Sequence, residues 1–224
     1  MFLCAIARPR QLPDGTWWDG KIGIWPFGYH EAAKRSSVNR KKGTMEWKNE
    51  SVTAAVYRTM LQDNVVPAIS ARWPEGDWNN QRVQIRIQQD GAKSHIKPDD
   101  PQWLEYLDDM NLQQKLTLLT QPANSPDLNH NDLGFFHAIE KAYQRKFPLK
   151  SPDEIIKCVT DAFWEYPMNK MNRLWLTRMQ CMNEILECHG GNDYKLPHMG
   201  KEKLERIGKL PDVLEVTEMA RAYL

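Results

Sequence analysis

The stretch "RVQIRIQQDGAKSHI", residues 82–96, decides how this chain is read. Val83, Ile85 and Ile87 alternate with Gln84, Arg86 and Gln88. Successive side chains of a strand point to opposite faces, so this is the pattern of a strand with one face buried. Asp90 stands where that strand ends. A short helix over "PQWLEYLDDM" (101–110) and a second strand, "LTLLT" (116–120), come next. If the two strands lie side by side, Asp90 and any carboxylate that follows the second strand meet at one end of a sheet. An aspartate at a strand end also serves as an ordinary turn residue or cap.

Upstream, "FLCAIA" (2–7) is a continuous apolar run and "KIGIWPF" (21–27) places Ile22 and Ile24 in alternation, with the turn-rich "PDGTWWDG" between them. This predicts a hairpin. Pro26 has no N–H to give to a ladder, so the second strand is expected at an edge. Val52, Val56, Tyr57, Met60 and Leu61 recur at helical spacing and predict a helix over 50–72, kinked at Pro67.

Downstream the chain reads as almost entirely helical. Asp132, Phe136, Ile139 and Tyr143 are spaced to share one helix face, with Asp132 at the top of the stripe. "SPDE" (151–154) is a capping box opening a helix with Ile155, Ile156, Val159 and Phe163 inward. A further helix starts at Pro167, with a stripe of Met168, Met171, Trp175, Met179, Met182 and Leu186, and Gly190 and Gly191 stop it. From Lys201 the chain reads as a polar tail with one weak helix at its end. The order predicts an α/β fold, a mixed sheet with helices gathered late in the chain. The expected division is a core over 1–150, helices of the same domain over 151–200, and a tail over 201–224.

The composition suits a globular domain: 41% of the 224 residues are apolar, enough for a core. With 30 basic and 29 acidic side chains the overall field exerts no long-range pull on nucleic acid or membrane, so any such contact is local. Cys4, Cys158, Cys181 and Cys188 form no CxxC pair, which disfavours a disulfide framework or a zinc ribbon and fits a reducing compartment. No apolar run approaches the roughly 20 residues of a membrane span, so no membrane partner is expected. Cys181, Cys188, His189 and His198 match no standard zinc spacing.

Two carboxylates at one sheet end can hold a hard cation such as Mg²⁺, which prefers oxygen ligands and keeps waters for a phosphate-bearing substrate. The words around them sharpen this. "IQQDGAKSHI" (87–96) and "QPANSPDLNHNDLGFF" (121–136) resemble the mariner superfamily of cut-and-paste DNA transposases. "FLCAIARPR", "DGKIGIWPFG", "AKRSSVNR", "VVPAISARWP" and "GGNDYKLPHMGK" resemble its plant- and oomycete-type members, so the likeness covers about residues 1–200.

The resemblance implies a ribonuclease H-like sheet in which Asp90 is the second metal ligand and Asp132 the third. It implies Mg²⁺ or Mn²⁺ as cofactor, and transposon-end and target DNA as partners. A second copy or a full-length transposase is a further partner, and the nucleus is the setting, with the cytoplasm as the alternative. Asp127 matches a motif residue that is not a ligand and is expected to shape the turn before the helix. His95 matches a histidine that follows the second aspartate, with a place near the DNA or the active site, or as a loop histidine with no catalytic task.

The family's first ligand lies on the central strand just upstream of the one that "FLCAIARPR" resembles. That strand, its aspartate and the preceding helix-turn-helix region are expected to be missing from this chain. Asp14 and Asp19 fall in the hairpin loop and do not substitute. Gly91, Ser94 and Ala123 depart from the commoner asparagine, proline and proline, and a glycine after the ligand loosens its backbone. The basic loop "KRSSVNRKK" (34–42), through Lys34, Arg35, Arg40, Lys41 and Lys42, and Lys93 beyond Asp90, are the candidates for phosphate contact. A solvated charged loop is the alternative. Without its first ligand the chain is expected not to transpose DNA, and with its central strand gone, to be weakly stable or to self-associate.

Overall fold

The structure is a computed structural model and describes all residues except Asn39, Phe147, Lys150 and 222–224. The opening apolar run forms β1 (Phe2–Ile6), which passes through a small ribbon, β2 (Arg10–Gln11) and β3 (Trp17–Trp18), and returns as β4 (Lys21–Pro26). β1 and β4 are antiparallel, with Phe2 opposite Pro26 and Cys4 opposite Ile24. The return requires Gly20: its φ is +74°, and a Cβ there would collide with the Ala7 carbonyl oxygen. Ile22 and Ile24 do not share a face as their alternation suggests. Pairing shifts between Ala5 and Ile6, and the bulge sends Ile22 into one core and Ile24 into another.

A second hairpin, β5 (Gly28–Ala32) with β6 (Met45–Asn49), follows. Its strands are largely exposed and lack apolar alternation, so the periodicity that reveals other strands is silent here. The basic stretch 34–42 is its tip, with Asn39 outside the described residues. His30 holds the hairpin to the body, 2.8 Å from Asp153.

The helix expected over 50–72 is α1 (Ala54–Met60), a wider turn over Leu61–Val65 and α2 (Val66–Arg72), opened by the Thr53 hydroxyl on the Val56 N–H at 3.3 Å. The chain does not break at Pro67. That proline has no N–H to give the Asp63 carbonyl, and the wider turn directly before it takes up the mismatch.

After the short α3 (Glu75–Asn79), the deciding stretch becomes β7 (Ile85–Gln89). It crosses over through α4 (Pro101–Asp109) to β8 (Leu116–Thr120), and the two strands are parallel, Ile85 opposite Leu116 and Gln89 opposite Thr120. This is a strand–helix–strand unit, so both strands end at the same edge. Asp100 secures the crossover: one carboxylate oxygen accepts from the Trp103 N–H at 2.9 Å and from Arg58 Nε at 2.9 Å, the other from Arg58 Nη2 at 2.7 Å. Trp103 and Leu107 then bury on its inner face.

The result is a mixed α/β architecture with small sheets. Among the described residues β1 pairs only with β4 and β7 only with β8. The Met1 carbonyl accepts from the Phe27 N–H at 2.9 Å, which turns the Phe2 and Cys4 backbone groups away from β4. Ile85 N–H donates to Lys115 at 2.8 Å, which turns those of Arg86 and Gln88 away from β8. The two half-sheets are joined through side chains: Leu3 and Ala5 pack into the core of Ile85, Leu116, Leu118 and Trp103. Phe2, Cys4 and Ile6 pack into a second core of Phe135, Ile139, Phe163 and Met171.

That second core is built by α5 (Phe136–Gln144), α6 (Pro152–Glu165) and α7 (Met168–Glu187). The N-cap half of the expected capping box forms, with Ser151 Oγ accepting from the Glu154 N–H at 3.2 Å. The expected stripe through Asp132 and Phe136 does not. Gly134 has φ 149°, a conformation open to glycine and strained for other residues, and it turns the helix so that Phe135 and Ile139 are buried while Phe136 is 39% exposed. On α7 the buried residues are Met171, Leu176 and Cys181, and Met182 faces solvent. The stripe widens because the residues after 200 cover a further side of α7. They carry two short helices, α8 (Lys201–Arg206) and α9 (Glu218–Arg221). Arg173 binds Glu205, Lys201 donates to Gln180 at 3.1 Å, and Asn183 donates to the Glu215 carbonyl at 3.0 Å. Among the described residues no helix is long and apolar enough to cross a membrane.

Candidate functional site

Asp90 leaves the end of β7, and Gln121 leaves the end of β8, its N–H donating to the Gln89 carbonyl at 2.7 Å. From there the chain turns through Pro126–Leu128 and reaches Asp132. Gln88 Nε2 donates to the Leu128 carbonyl at 2.8 Å, Asn131 N–H to Asn129 Oδ1 at 3.0 Å and Asn131 Nδ2 to the Cys4 carbonyl at 3.4 Å. These bonds bring the turn back over the sheet end, next to Asp90. The charge of Asp90 reaches Asp132: the Asp132 carboxyl is raised above its ordinary range, by burial first and by the Asp90 charge second, with an Asn129 hydrogen bond opposing.

One oxygen of Asp90 is committed. Oδ1 accepts from the Ala92 N–H at 2.8 Å and lies 2.8 Å from His95 Nδ1, which is hydrogen-bonded to the Asp90 main-chain carbonyl at 3.1 Å and whose ring stacks on the buried Tyr57 with centroids 4.1 Å apart. His95 therefore positions Asp90. The strand-end turn does not depend on Gly91, which has an ordinary backbone conformation and open space where a Cβ would stand. Asp127 does not shape the turn through its carboxylate; it accepts from the Tyr194 hydroxyl at 2.8 Å, and Asn129 does the shaping. Asp14 and Asp19 are turn residues, Asp14 Oδ1 taking the Thr16 N–H at 2.9 Å and Asp19 the Lys21 N–H at 3.0 Å.

The basic candidates divide. Lys34 lies 3.2 Å from Glu31 and Arg40 is bound to Glu46, while Arg35, Lys41 and Lys42 are exposed and form no ion pair among the described residues. Lys93 is exposed in the turn after Asp90. Arg178 on α7 was not among the candidates read from the sequence, and it stands against the strand that leads to Asp90. Arg178 Nη2 donates to Gln88 Oε1 at 3.1 Å, and His130 stacks on Trp175 with centroids 3.7 Å apart. Burial, then the Arg178 and Arg8 charges, push His130 down to about 3, so its ring is neutral at ordinary pH.

As a cation site the donors fit in part. Asp90 and Asp132 lie at one sheet end and among the described residues Asp90 Oδ2 carries no hydrogen bond, yet among the same residues no group of three His, Cys, Asp or Glu side chains assembles. Comparison with protein-family models, with curated proteins and with solved structures gives no match for this chain.

Proposed function

We propose that this chain is part of the catalytic core of a mariner-type transposase, built on a ribonuclease H-like sheet, with Asp90 and Asp132 as two of its metal ligands. The observation that carries the reading is that Asp90 follows the end of β7, parallel to β8, and that Asp132, reached through the turn after β8, lies within the field of its charge. The antiparallel β1–β4 pair and the helical crossover between β7 and β8 are consistent with it.

Asp90 Oδ2 and the Asp132 carboxylate would hold Mg²⁺ or Mn²⁺, and such an ion supplies activation of a water or 3′-hydroxyl and charge stabilisation at a phosphodiester. The residues themselves orient and charge that site. The Ala92 N–H holds Asp90 Oδ1, and His95 holds the Asp90 main chain. Gln88 and Asn131 hold the turn that carries Asp132.

With only two carboxylates brought together among the described residues, the purified chain is expected not to cleave a DNA strand in Mg²⁺. Cleavage abolished by Asp132→Ala would overturn that expectation.

The raised Asp132 carboxyl sets the sign of a second expectation. The folded state holds its proton more tightly than the unfolded chain does, so ionised Asp132 costs stability above its folded pKa. That cost fades as pH falls toward the ordinary value of 3.8. Asp132→Asn at neutral pH should therefore raise Tm, by on the order of 1–2 °C because the group is solvent-screened, and the gain should vanish near the ordinary carboxyl pKa. Mn²⁺ should raise Tm of the wild type and leave Asp132→Asn unmoved. A wild type indifferent to Mn²⁺ counts against the metal reading.

A second reading, a non-catalytic remnant that binds DNA or a full-length transposase, is favoured by the absence of a third ligand and of ion pairs on Arg35, Lys41 and Lys42 at the hairpin tip, both among the described residues. Filter binding over a salt series separates it from an inert fragment, which would retain no DNA.

A further inference from the structure

We infer that Gln89 and Gln121 are positioning residues whose side-chain amides buckle the two loops that present Asp90 and Asp132, an inference that rests on the reading of those aspartates as one site. Each glutamine stands at a strand end, Gln89 closing β7 and Gln121 following β8. The Gln121 N–H on the Gln89 carbonyl, at 2.7 Å, ties the two ends together. Each side chain then reaches forward along its own stretch of chain. Gln89 Nε2 donates to the Ile96 carbonyl, at the far end of the loop that Asp90 opens. Gln121 Nε2 donates to the Ser125 carbonyl, in the turn that leads to Asp132.

Both amides are buried where an apolar side chain would serve the fold better. Gln89 continues the face of Ile85 and Ile87, which pack in the first core. With Lys21, the two glutamines are the buried polar or charged side chains among the described residues, 6% and 8% exposed. Among the same residues the Oε1 atom of each is buried with no hydrogen-bond partner. A buried amide with part of its bonding unmade destabilises a fold relative to an apolar side chain of similar size. What these two side chains contribute is therefore the geometry of the loops they hold.

The loops supply little of that hold themselves. Among the described residues the other hydrogen bonds of the 90–96 loop run within it: the Ala92 N–H to Asp90 Oδ1, the His95 N–H to the Ala92 carbonyl at 2.9 Å, and His95 Nδ1 with the Asp90 carbonyl. They shape the loop, and the Gln89 amide fastens its far end to the strand. In the turn after β8 the Leu128 N–H donates to Ser125 at 3.1 Å, so the carbonyl that shapes the turn is the one Gln121 grips.

The test is residue-resolved amide hydrogen exchange of the full chain, with Tm and with Mn²⁺ binding read from the free-ion signal in electron paramagnetic resonance. Gln89→Met exchanges one unpaired buried acceptor, Gln89 Oε1, for another, the Ile96 carbonyl, so Tm should stay within about 3 °C of wild type. The Ala92 and His95 amides should nevertheless exchange about tenfold faster, the factor for one lost hydrogen bond. Gln121→Met should do the same to the Leu128 and Asn129 amides and leave Ala92 and His95 unmoved. Both variants should weaken Mn²⁺ binding on the order of tenfold, as loss of groups that orient metal ligands does. Where a methionine variant does not fold, Gln89→Asn or Gln121→Asn, which keeps the amide but shortens its reach, carries the comparison.

Unchanged exchange in a folded variant overturns the inference. Exchange that quickens equally in both loops, in step with a fall in Tm, also overturns it, because the glutamines are then packing residues alone. The two readings fail separately. A wild type that binds no Mn²⁺, with each variant loosening its own loop, removes the metal reading and leaves the buckles, and Mn²⁺ binding with both loops unmoved does the reverse.

Discussion

Phe163→Ala should lower the unfolding free energy by about 3–5 kcal/mol, the range for emptying a closed aromatic site. Phe163 has no exposed surface and stands edge-on to Phe135, centroids 5.9 Å apart, in the core that also receives Phe2, Cys4 and Ile6 from β1. Its loss leaves a cavity between α6, α5 and the first hairpin. Phe135 directly follows Gly134, so the same substitution frees the turn that presents Asp132. Domains have only about 5–15 kcal/mol in hand, and Tm should fall by on the order of 10 °C. Urea unfolding followed by tryptophan fluorescence measures it. A loss below about 1 kcal/mol would mean that the helical core does not close on Phe163 as described.

Asp100→Ala should cost about 2–4 kcal/mol. It removes an N-cap, typically about 1 kcal/mol, and a charged hydrogen-bonded pair with Arg58, about 1.5–3 kcal/mol, at a site where both side chains are mostly covered, 17% and 16% exposed. The Arg58 guanidinium, before any other cause, holds the Asp100 carboxyl below its ordinary 3.8. A depressed folded pKa contributes stability that is present above the unfolded value and lost as pH falls through the folded one. Wild type should therefore lose this contribution on acidification below about pH 4, whereas Asp100→Ala should show a flatter acid limb. Asp100→Asn, which keeps a cap but no charge, should fall between them. Equal stability of Asp100→Asn and wild type at neutral pH would show that the ion pair contributes nothing. Because α4 is the crossover that sets β7 beside β8, the Mn²⁺ response should weaken in the same order.

The open inner edges of β1 and β7 bear on solution behaviour. Unpaired strand edges are templates for association, and here they flank an apolar run, Phe2–Ile6, in which no residue is fully buried. Concentration-dependent association is the behaviour this arrangement favours. Arg86, Gln88 and the Asn131 contact on Cys4 are the polar features that oppose it.

The elements with a strong local period were legible in the sequence. β7, β8, β1 and β4 announce themselves by apolar alternation or an unbroken apolar run, α6 by its capping box, and α4 by its proline start and apolar face. Asp90 at a strand end and Asp132 after the next strand were legible for the same reason, since both are positions along a chain. The β5–β6 hairpin was not, because an exposed hairpin has no buried face to impose a period on its residues. The reversal at Ile22 and the exposure of Phe136 were not either. Each follows from one local break, a bulge and a glycine at φ 149°, which shifts every residue beyond it.

Local periodicity therefore determined which segments are strands and helices and where the two aspartates stand along them. The parallel pairing of β7 with β8, the turn that carries Asp132 back over the sheet end, the hold of His95 on the Asp90 main chain, and the stacking of His130 on Trp175 were decided only by tertiary structure. Burial imprints a period on each segment by itself, whereas which distant side chains meet depends on how the segments pack together.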